Sequence, residues 1–544
     1  MNRTARAAGD LILAGPMGAG KTSIGQLVAG WLDRDFVDLD ALIVARESKS
    51  IPELFADGEE VFRRAEREAL RWWLERGADA PAELLALGGG TLEDAELAES
   101  LGRRGTIVHL DAPADALAAR LDEPGRTVRP LLSGASDPAV RLSELRQARA
   151  AGYARAAAFS VATEGVSVTH AGVRLLRRLY DATDGPWRTR SERLVPADAS
   201  VTIGRGAMPE LPTSRAVLLI DETLPCVQRE WVDAYLGASA RGGVVRLTRA
   251  GGEPAKSPES LLGAWRELLE AGIDAATPLW VVGGGSLSDL GGLVAHTFKR
   301  GLPLTVIPTT LLAQLDAALG GKNAVNLDGV KNVIGTIRLP ERVHLDALYL
   351  LTLPDAELRA GLSEAVKSAL VGDPELLTQM QRSIEGIRAR RLTALETVTR
   401  RAARVKQRIV TEDLYDVGER WQLNFGHTFG HALEAVAATQ GEPMAHGDAV
   451  AVGMLFAVRL SARLRALEDS SLESRLRALL TELGLPTAPP PPLLADKERL
   501  MRALSHDKKR RTGTNTFMLI RKAGRLIPVE VGTTAVEQVV ESFR

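Results

Sequence analysis

A glycine-rich loop near the N-terminus carries the clearest chemical pattern in the sequence. Residues 15–22 read Gly-Pro-Met-Gly-Ala-Gly-Lys-Thr, which matches the G-x-x-x-x-G-K-[ST] spacing of phosphate-binding loops. In such loops the main-chain N–H groups point at phosphates, the lysine reaches the β and γ oxygens, and the threonine hydroxyl is a ligand of Mg²⁺. The pattern predicts an ATP and Mg²⁺ site formed by Gly15, Gly18, Gly20, Lys21, Thr22 and Ser23.

The residues on either side of this loop supply the elements that such a site needs. Residues 11–14 form a short apolar run typical of a buried strand. After the loop, Ile24, Leu27, Val28 and Trp31 fall at the i, i+3, i+4 and i+7 positions of one helical face. Chance matches to the loop pattern occur, but this loop joins a strand to a helix, as phosphate binding requires. The sequence therefore favours a nucleotide site over a plain turn.

A second glycine cluster follows an apolar run in the middle of the chain. Residues 279–282 are predicted to form a buried strand that leads into three glycines at 283–285. Glycines after a strand permit the close approach of a phosphate, although tight turns use glycine just as often. Another apolar run, residues 304–307, ends in Pro308-Thr309-Thr310. The alternation of strands and helical patterns between residues 216 and 310 predicts a parallel sheet of the nucleotide-binding type.

Histidines are concentrated in the last third of the chain. Three of the eight histidines lie between residues 427 and 446. Arg420, Asn424, His427 and His431 recur at helical spacing, which predicts that they share one helix, and His446 follows. A histidine pair at i and i+4 more often packs or caps a helix than binds a metal. The spacing alone therefore leaves both interpretations open.

The composition restricts the class of protein. A chain of 544 residues exceeds what one hydrophobic core normally supports, so two or three domains are expected. With 68 Lys and Arg against 69 Asp and Glu, the formal charge of −1 gives no general attraction to nucleic acid. The single cysteine, Cys226, fits a reducing compartment. No apolar run approaches the roughly 18 residues of a membrane span. We expect a soluble cytoplasmic protein that binds neither nucleic acid nor membranes.

Further motifs in the first third of the chain occur in a specific order. Two acids end a strand-like run at 36–40, an arginine pair lies at 63–64, and glycines follow an apolar run at 88–90. Arginines then recur at 126–129 and at 149. Together with the glycine loop, this set resembles shikimate kinase over about residues 8–175. The resemblance implies that shikimate is bound by Asp40, Arg63, Gly88, Gly89, Gly90 and Arg149.

The same resemblance assigns roles around the nucleotide. It implies that Asp38 supports Mg²⁺, and that Lys21, Asp40 and Arg129 are catalytic, with Arg129 on a lid that reaches the ATP phosphates. The residue types suit an acidic, hydroxylated acceptor, because guanidinium groups such as that of Arg63 can hold a carboxylate in a bidentate manner. Arg129 can neutralise charge that develops on the transferred phosphoryl group.

Four segments of the remaining chain form a second ordered set, residues 282–292, 299–301, 308–316 and 320–326. From about residue 200 to the C-terminus, the chain resembles 3-dehydroquinate synthase, whose fold holds NAD. Thr223 and Ser288 depart from the asparagine and the glycine that are common in that family at these positions. The NAD-binding residues implied are Asp221, Glu253, Lys256, Gly283, Gly284, Gly285, Asp289, Thr309, Thr310, Lys322, Lys331, Thr352 and Glu357.

This second resemblance also decides between the two interpretations of the histidines. It implies a site for Zn²⁺ or Co²⁺ formed by Glu364, His427 and His446, with positions left open for substrate. The implied substrate is a phosphorylated heptulosonate, a seven-carbon keto acid. The substrate-binding residues implied are Asp316, Lys322, Lys331, Asn332, Lys367, Lys406, Arg420, Asn424, His431, Lys508 and Lys509. Among them, the catalytic residues implied are Lys322, Lys367, Arg420 and His431.

The chemistry implied by the family is a sequence of steps on one site. NAD⁺ takes a hydride from an alcohol, phosphate is eliminated, and the hydride returns. The ring then opens, and an intramolecular aldol step closes a carbocycle. NAD would thus be recycled, with no net oxidation or reduction. A shell rich in lysine, arginine and histidine suits a substrate that carries both a carboxylate and a phosphate.

Together the two resemblances imply an α/β bifunctional enzyme of the shikimate pathway. We expect a P-loop kinase domain with a parallel sheet at 1–183, a linker at 184–198, an NAD-binding α/β part at 199–354 and a helical metal- and substrate-binding part at 355–544. A homodimer would form through the synthase region. The alternative is a P-loop kinase of another small polyol acid fused to a metal-dependent polyol dehydrogenase. A nucleotide-binding scaffold without chemistry is disfavoured by the complete ligand sets.

Overall fold

The computed structural model describes residues 9–76, 80–122, 137–181, 187, 192–195, 200–206, 215–239, 243–505 and 515–543. Arg129, Lys508 and Lys509, which the sequence assigns to the sites, lie outside these residues. The chain divides into two compact units. One unit spans residues 1–189 and 391–393, and the other spans residues 190–390 and 394–544.

The first unit is built around a five-stranded parallel sheet with the order β2-β3-β1-β4-β5. Its strands are β1 Asp10–Ala14, β2 Phe36–Asp38, β3 Leu84–Ala86, β4 Gly105–Asp111 and β5 Phe159–Ala162. Its helices are α1 Lys21–Leu32, α2 Leu39–Glu47, α3 Ile51–Ala56, α4 Glu59–Leu74, α5 Ala95–Arg104, α6 Ala114–Leu121, α7 Pro138–Ala156 and α8 Val168–Asp181.

The central strand of this sheet explains where the first site forms. Every residue of β1 is buried, as expected for a parallel strand with helices on both faces. Leu13 of β1 pairs with Ala86 of β3 on one side and with Val108 of β4 on the other. The carboxyl ends of β1 and β3 are therefore neighbours. This register brings the glycine loop after β1 beside the glycines at 88–90.

The second unit contains a seven-stranded sheet with the order β6-β7-β14-β11-β10-β8-β9. Its strands are β6 Glu192–Val195, β7 Ser200–Ile203, β8 Ala216–Asp221, β9 Val244–Arg249, β10 Leu279–Gly283, β11 Leu304–Pro308 and β14 Arg342–Leu345. Two antiparallel hairpins accompany it, β12 Lys322–Leu327 with β13 Val330–Ile337, and β15 Asn515–Lys522 with β16 Arg525–Val531. Helices α9 Cys226–Ser239, α10 Pro258–Glu270, α11 Gly285–Thr297 and the short α12 Ala318–Gly320 belong to the sheet region.

Successive side chains of the central strands point to opposite faces of this sheet, and both faces are packed. Val217 and Leu219 of β8 pack in one core with residues of α10 and α11. Leu218 and Ile220 pack in a second core with residues of α9. Burial on both faces accounts for the continuous apolar runs that the sequence shows at β8, β10 and β11. The carboxyl ends of these three strands lie side by side, because each pair is parallel.

From residue 355 onward the second unit is mainly helical, as the sequence predicts. The helices are α13 Asp355–Gly372, α14 Pro374–Arg382, α15 Ile384–Arg388, α16 Leu392–Glu412, α17 His427–Thr439, α18 His446–Arg463, α19 Leu472–Glu482, α20 Pro491–Ala495, α21 Lys497–Ser505 and α22 Thr533–Glu541. Their shared core includes Phe429 of α17 stacked on Phe456 of α18, with ring centroids 4.1 Å apart. No helix in the described part of the chain combines the length and apolar character needed to cross a membrane.

Two expectations from the sequence need correction. The sequence predicts a linker at residues 192–195, but they form β6, which pairs antiparallel with β7 at the edge of the sheet. Arg420, Asn424, His427 and His431 do not share one helix. Arg420 and Asn424 lie on a 3₁₀ turn, Glu419–Asn424, and the α-helix begins afresh at His427.

The break before His427 has a clear cause. Gly426 adopts φ +79°, and a Cβ atom there would lie 2.9 Å from main-chain and side-chain atoms of Met454. A residue with a side chain would meet both a strained backbone and a close neighbour at this point. The chain therefore changes direction at Gly426, and α17 approaches α18 closely.

Candidate active sites

The first unit has a cavity of about 380 Å³ at the carboxyl ends of β1, β2 and β3. Its walls include most of the residues that the sequence assigns to ATP, Mg²⁺ and shikimate. They are Gly18, Gly20, Lys21, Thr22, Ser23, Asp38, Asp40, Arg63, Gly88, Gly89, Gly90 and Arg149. Gly15 lies at the start of the same loop, immediately after β1.

The glycine loop has the conformation that phosphate binding needs. Gly15 adopts φ +147°, and a Cβ atom there would lie 2.3 Å from the carbonyl oxygen of Leu110, so only glycine fits. Lys21 begins α1, and its Nζ donates to the carbonyl oxygens of Gly15 at 2.8 Å and Pro16 at 3.1 Å. The lysine is thus held across the loop, beside the main-chain N–H groups that would surround a phosphate.

The residues assigned to Mg²⁺ contact each other. The hydroxyl of Thr22 donates to Oδ2 of Asp38 at 2.7 Å. The other oxygen of Asp38 caps α2 by accepting from the main-chain N–H groups of Asp40 and Ala41. A hydroxyl and a carboxylate oxygen are hard ligands of the kind that Mg²⁺ prefers, and the divalent ion usually keeps several waters. The pair therefore fits the predicted ion.

Each arginine assigned to shikimate is paired with a carboxylate. Arg63 Nη1 lies 2.9 Å from Glu66 one turn later on α4, and Arg149 Nε lies 2.7 Å from Glu93. Burial acts to lower the pKa of Arg63, but the carboxylate of Glu66 outweighs burial and raises it. The hydroxyl of Thr91 donates to the second oxygen of Glu66 at 2.6 Å. Both guanidinium groups are consequently oriented toward the same cavity.

The second unit has a larger cavity, of about 950 Å³, at the carboxyl ends of β8, β10 and β11. Nearly every described residue that the sequence assigns to NAD or substrate lines it. They are Asp221, Glu253, Lys256, Gly284, Gly285, Asp289, Thr309, Thr310, Asp316, Lys322, Lys331, Asn332, Thr352, Glu357, Lys367, Lys406, Arg420, Asn424 and His431. Gly283 ends β10 just before this lining, and Glu364 is buried beneath it.

At the nucleotide end of this cavity, α11 begins directly after the glycines. Ser288 is accommodated there because its hydroxyl donates to the carbonyl oxygen of Gly284 at 3.0 Å. Thr223 likewise has a definite role, since both its N–H and its hydroxyl donate to Oδ1 of Asp221. The two departures from the family pattern therefore make local hydrogen bonds that hold the loops around the predicted NAD site.

A buried ion pair lies between the glycine loop and the hairpin. Lys256 is 4% exposed, and its Nζ lies 2.7 Å from Asp289 and 2.5 Å from the side-chain oxygen of Asn332. Burial raises the pKa of the Asp289 carboxyl to about 6, and the Lys256 ammonium opposes this shift without cancelling it. These contacts connect residues assigned to NAD with one assigned to substrate.

The predicted metal ligands converge. Oε1 of Glu364 lies 3.6 Å from Nε2 of His427 and 3.7 Å from Nε2 of His446. This oxygen is buried and has no hydrogen-bond partner among the described residues. The other oxygen pairs with the ammonium of Lys367. Burial opposes ionisation of Glu364, but Lys367 and the histidines hold its pKa well below the usual range. An unpartnered carboxylate oxygen facing two imidazole nitrogens fits a zinc or cobalt ion.

Cationic side chains surround the remaining space. Lys406 is 7% exposed and pairs with Asp316, and burial lowers the pKa of its ammonium. Arg420 is 4% exposed and donates to the carbonyl oxygens of Leu414 at 2.7 Å and Gly320 at 2.6 Å. Lys322 pairs with Asp416 at 2.6 Å. The cavity thus holds fixed positive groups suited to an anionic substrate.

Sequence reasoning missed several residues at these sites. Glu66 and Glu434 each lie three residues after a predicted site residue, Arg63 and His431, and therefore on the same helical face. That spacing is the signal that could have found them. Gln228 also lines the second cavity, and its amide donates to Thr352. Nothing in its local sequence distinguishes it from an ordinary helix residue.

Comparisons with known families agree with the two units. Residues 17–179 match the shikimate kinase family. Residues 246–360 match the N-terminal part of 3-dehydroquinate synthase, and residues 361–510 match the C-terminal part of the same enzyme.

Relatives with related names cover most of the chain. A bifunctional shikimate kinase/3-dehydroquinate synthase from Thermotoga maritima is 34% identical over 82% of this chain and 83% of its own length. A 3-dehydroquinate synthase from Dehalococcoides mccartyi is 36% identical over 59% of this chain and 87% of its own length.

Solved structures resemble the second unit. A 2-epi-5-epi-valiolone synthase from Streptomyces hygroscopicus, with NAD⁺ and Zn²⁺ bound, has a TM-score of 0.58 and 27% identity, covering 65% of this chain and 99% of its own. A 2-deoxy-scyllo-inosose synthase complexed with carbaglucose-6-phosphate, NAD⁺ and Co²⁺ has a TM-score of 0.58 and 25% identity, covering 65% and 100%. With the family matches and the Thermotoga relative, these findings show that the chain belongs to the bifunctional shikimate kinase/3-dehydroquinate synthases.

Proposed function

We propose that this chain catalyses two reactions of aromatic biosynthesis. The first unit transfers the γ-phosphoryl group of ATP to shikimate and forms shikimate 3-phosphate. The second unit converts 3-deoxy-D-arabino-heptulosonate 7-phosphate to 3-dehydroquinate and releases phosphate. The observation that carries the proposal is that most of the described residues expected for these reactions line two different cavities, one in each unit. No observation favours a polyol dehydrogenase in the second unit.

In the first unit the chain's own groups would position both reactants. Arg63 and Arg149 would hold the carboxylate of shikimate, and Asp40 would accept a hydrogen bond from the hydroxyl that attacks. Lys21 and the loop N–H groups would hold the β- and γ-phosphates, and Thr22 with Asp38 would hold Mg²⁺. Arg129, which the resemblance assigns to the ATP phosphates, lies outside the described residues. Catalysis would thus depend on position and charge stabilisation.

In the second unit the residues would hold a substrate with two anionic groups. Lys367, Lys406 and Arg420 would bind its carboxylate and phosphate, and Glu364 with His427 and His446 would hold the metal. When bound, NAD supplies a hydride acceptor that is regenerated, and the metal supplies a Lewis acid for the oxygen being oxidised. Lys256 and Asp289 would fix the nucleotide loop against the hairpin. Zn²⁺ and Co²⁺ both suit this donor set.

We also propose a homodimer that forms through the second unit and acts in the cytoplasm. The hairpin supports the interface, because Val330, Val333, Ile334 and Ile337 of β13 are exposed although apolar. The single cysteine supports a reducing compartment. Light scattering on the purified protein tests the dimer, and a monomer at micromolar concentration would contradict it.

One preparation assayed for both reactions tests the proposed function. We expect ATP-dependent phosphorylation of shikimate, and phosphate release from 3-deoxy-D-arabino-heptulosonate 7-phosphate that requires NAD⁺ in catalytic amounts. Stoichiometric accumulation of NADH without phosphate release would instead identify a dehydrogenase. A different phosphate acceptor, with no turnover of shikimate, would overturn the assignment of the first unit.

A further inference from the structure

The two predicted ligand histidines face Glu364 with the same ring nitrogen. In both His427 and His446 it is Nε2 that lies near the buried, unpartnered oxygen of Glu364, at 3.6 Å and 3.7 Å. A metal ion takes the lone pair of a neutral imidazole. Each ring must therefore carry its proton on Nδ1 when the metal is bound, and the acceptor of that proton determines how the ring is held.

The two Nδ1 atoms have different partners. Nδ1 of His427 lies 3.3 Å from the main-chain carbonyl oxygen of Phe425, two residues earlier. Nδ1 of His446 lies 3.4 Å from Oε2 of Glu434, on the neighbouring helix α17. The first partner is fixed by the backbone before α17. The second is a side chain, and its carboxylate is a stronger acceptor than a carbonyl.

His446 also depends more on such a partner. Its side chain is 34% exposed, against 14% for His427. Both histidines are the first residues of their helices, so the greater exposure of His446 is what distinguishes the two rings. Glu434 is 21% exposed and lies near Nδ1 of the ring, whereas Glu364 lies near Nε2. Glu364 and Glu434 thus contact the two nitrogens of one imidazole.

We propose that Glu434 is a positioning residue of the metal site. It accepts the Nδ1–H of His446 and so keeps Nε2 directed at the metal beside Glu364. This inference rests on the metal site of the proposed function and adds a residue that is not one of its ligands.

A competing arrangement makes Glu434 a ligand itself. The ligand atoms of His431, Glu434 and His446 also lie within 4.8 Å of one another. The geometry favours the positioning role, because Glu364 contributes a buried oxygen that has no hydrogen-bond partner in the described part of the chain, whereas His431 is exposed.

Zinc affinity of the full-length protein tests the proposal. Glu434→Ala and Glu434→Gln would be compared with Glu442→Gln, which removes an exposed carboxylate outside the cavity. The dissociation constant for Zn²⁺ would be measured by competition with a chromophoric chelator. We expect Glu434→Ala to weaken zinc binding by about 10- to 100-fold. Glu434→Gln should weaken zinc binding less, because its amide oxygen still accepts a hydrogen bond from Nδ1–H of His446. The zinc affinity of Glu442→Gln should stay within about twofold of the wild type.

Two reference variants distinguish a positioning role of Glu434 from a ligand role. Glu364→Gln and His446→Ala remove ligands and should weaken zinc more than either Glu434 variant. NAD affinity should not change in the Glu434 variants, which reports that the second unit is intact. Zinc affinity within twofold of wild type in Glu434→Ala would overturn the positioning role, as would a loss as large as that of Glu364→Gln. If Glu364→Gln and His446→Ala bound zinc like the wild type, the metal site of the proposed function would itself be wrong.

Discussion

The two cavities of this chain achieve anion binding in different ways. In the first unit the groups that would hold phosphate come from one loop of consecutive residues, and its Lys21 and Thr22 are at least partly exposed. In the second unit the groups come from strand ends, a hairpin and several helices. Lys367 and Arg420 there are at most 4% exposed.

The difference shows how each site is linked to stability. Groups at a half-exposed loop can be changed with little effect on folding, because water solvates what is left. A buried charge that loses its partner is a different case, since it remains away from water without compensation. Activity and stability should therefore separate at the exposed glycine loop of the first unit and be coupled at the buried charges of the second.

The largest expected effect is on the first reaction. Lys21→Ala removes the positive charge that would stabilise the β- and γ-phosphates in the transition state. We expect shikimate phosphorylation to fall by about a thousandfold, while dehydroquinate formation stays near the wild-type rate. The two activities are measured on the same preparation. Undiminished kinase turnover would exclude the glycine loop as the ATP site.

The reciprocal change affects the second reaction. His446→Ala leaves two protein ligands, so the bound metal should fall well below one equivalent. Loss of a Lewis acid worth several kcal/mol should slow dehydroquinate formation by about a hundredfold or more. Metal analysis and both assays are made on the purified variant. Full metal occupancy with a normal synthase rate would show that the ligand set is wrong.

A pair of substitutions tests the coupling of site and stability. Asp289→Ala leaves the buried Lys256 without its carboxylate and should destabilise the second unit by about 3 kcal/mol. Thr22→Ala removes an exposed hydroxyl of the first site and should change stability by about 0.5 kcal/mol or less. Denaturant unfolding of both variants gives the comparison. Equal losses of stability would show that the groups at the two cavities contribute to stability in the same way.

A smaller effect concerns pH. His296 lies on α11, where Asn323 donates to its Nδ1 at 3.3 Å, and burial followed by the charge of Arg338 lowers the pKa of the ring to about 4. The folded pKa is depressed below the ordinary value of 6.5. The stabilising contribution of neutral His296 is therefore complete above pH 6.5 and is lost as the pH falls toward 4.

Hydrogen exchange at two pH values checks this contribution. Between pH 7.5 and pH 5, protection of the β12–β13 hairpin that contacts His296 should decrease in the wild type, after correction for intrinsic exchange. His296→Gln keeps a side chain that can accept from Asn323 and does not titrate. The decrease should be smaller in that variant, and an equal decrease would rule out His296 as its origin.

Local sequence predicted the first site better than the second. The apolar strand, the glycine loop and the helical face of Ile24, Val28 and Trp31 are contiguous, and the structure has all three in order. The family resemblance supplied the second set, because Glu364 and His446 are far apart in sequence. Spacing misled at 420–431, where the positions fit one helix but Gly426 breaks it. The spacing of residue types gives no information about one residue that adopts a positive φ.

The other features that the sequence did not predict depend on contacts between distant parts of the chain. The strand at 192–195 lies in a polar stretch with no apolar pattern of its own. Its hydrogen bonds to β7 account for the strand conformation. Glu66 and Glu434 look like ordinary acids on charged helical faces. Their importance depends on what they contact across the fold, Thr91 for one and His446 for the other. A single sequence carries no record of such contacts.

We expect the two active sites of this chain to work independently of each other. The most direct measurement compares the intact chain with separately expressed fragments 1–189 and 190–544, a cut that keeps β6 with the sheet it joins. Dehydroquinate is not the substrate of the kinase, so direct transfer between the sites would bring little. We predict a kinase fragment and a synthase fragment whose rates lie within a few-fold of the intact chain. Aggregation of either fragment, or activity that returns only when the two are mixed, would show that the two units depend on each other.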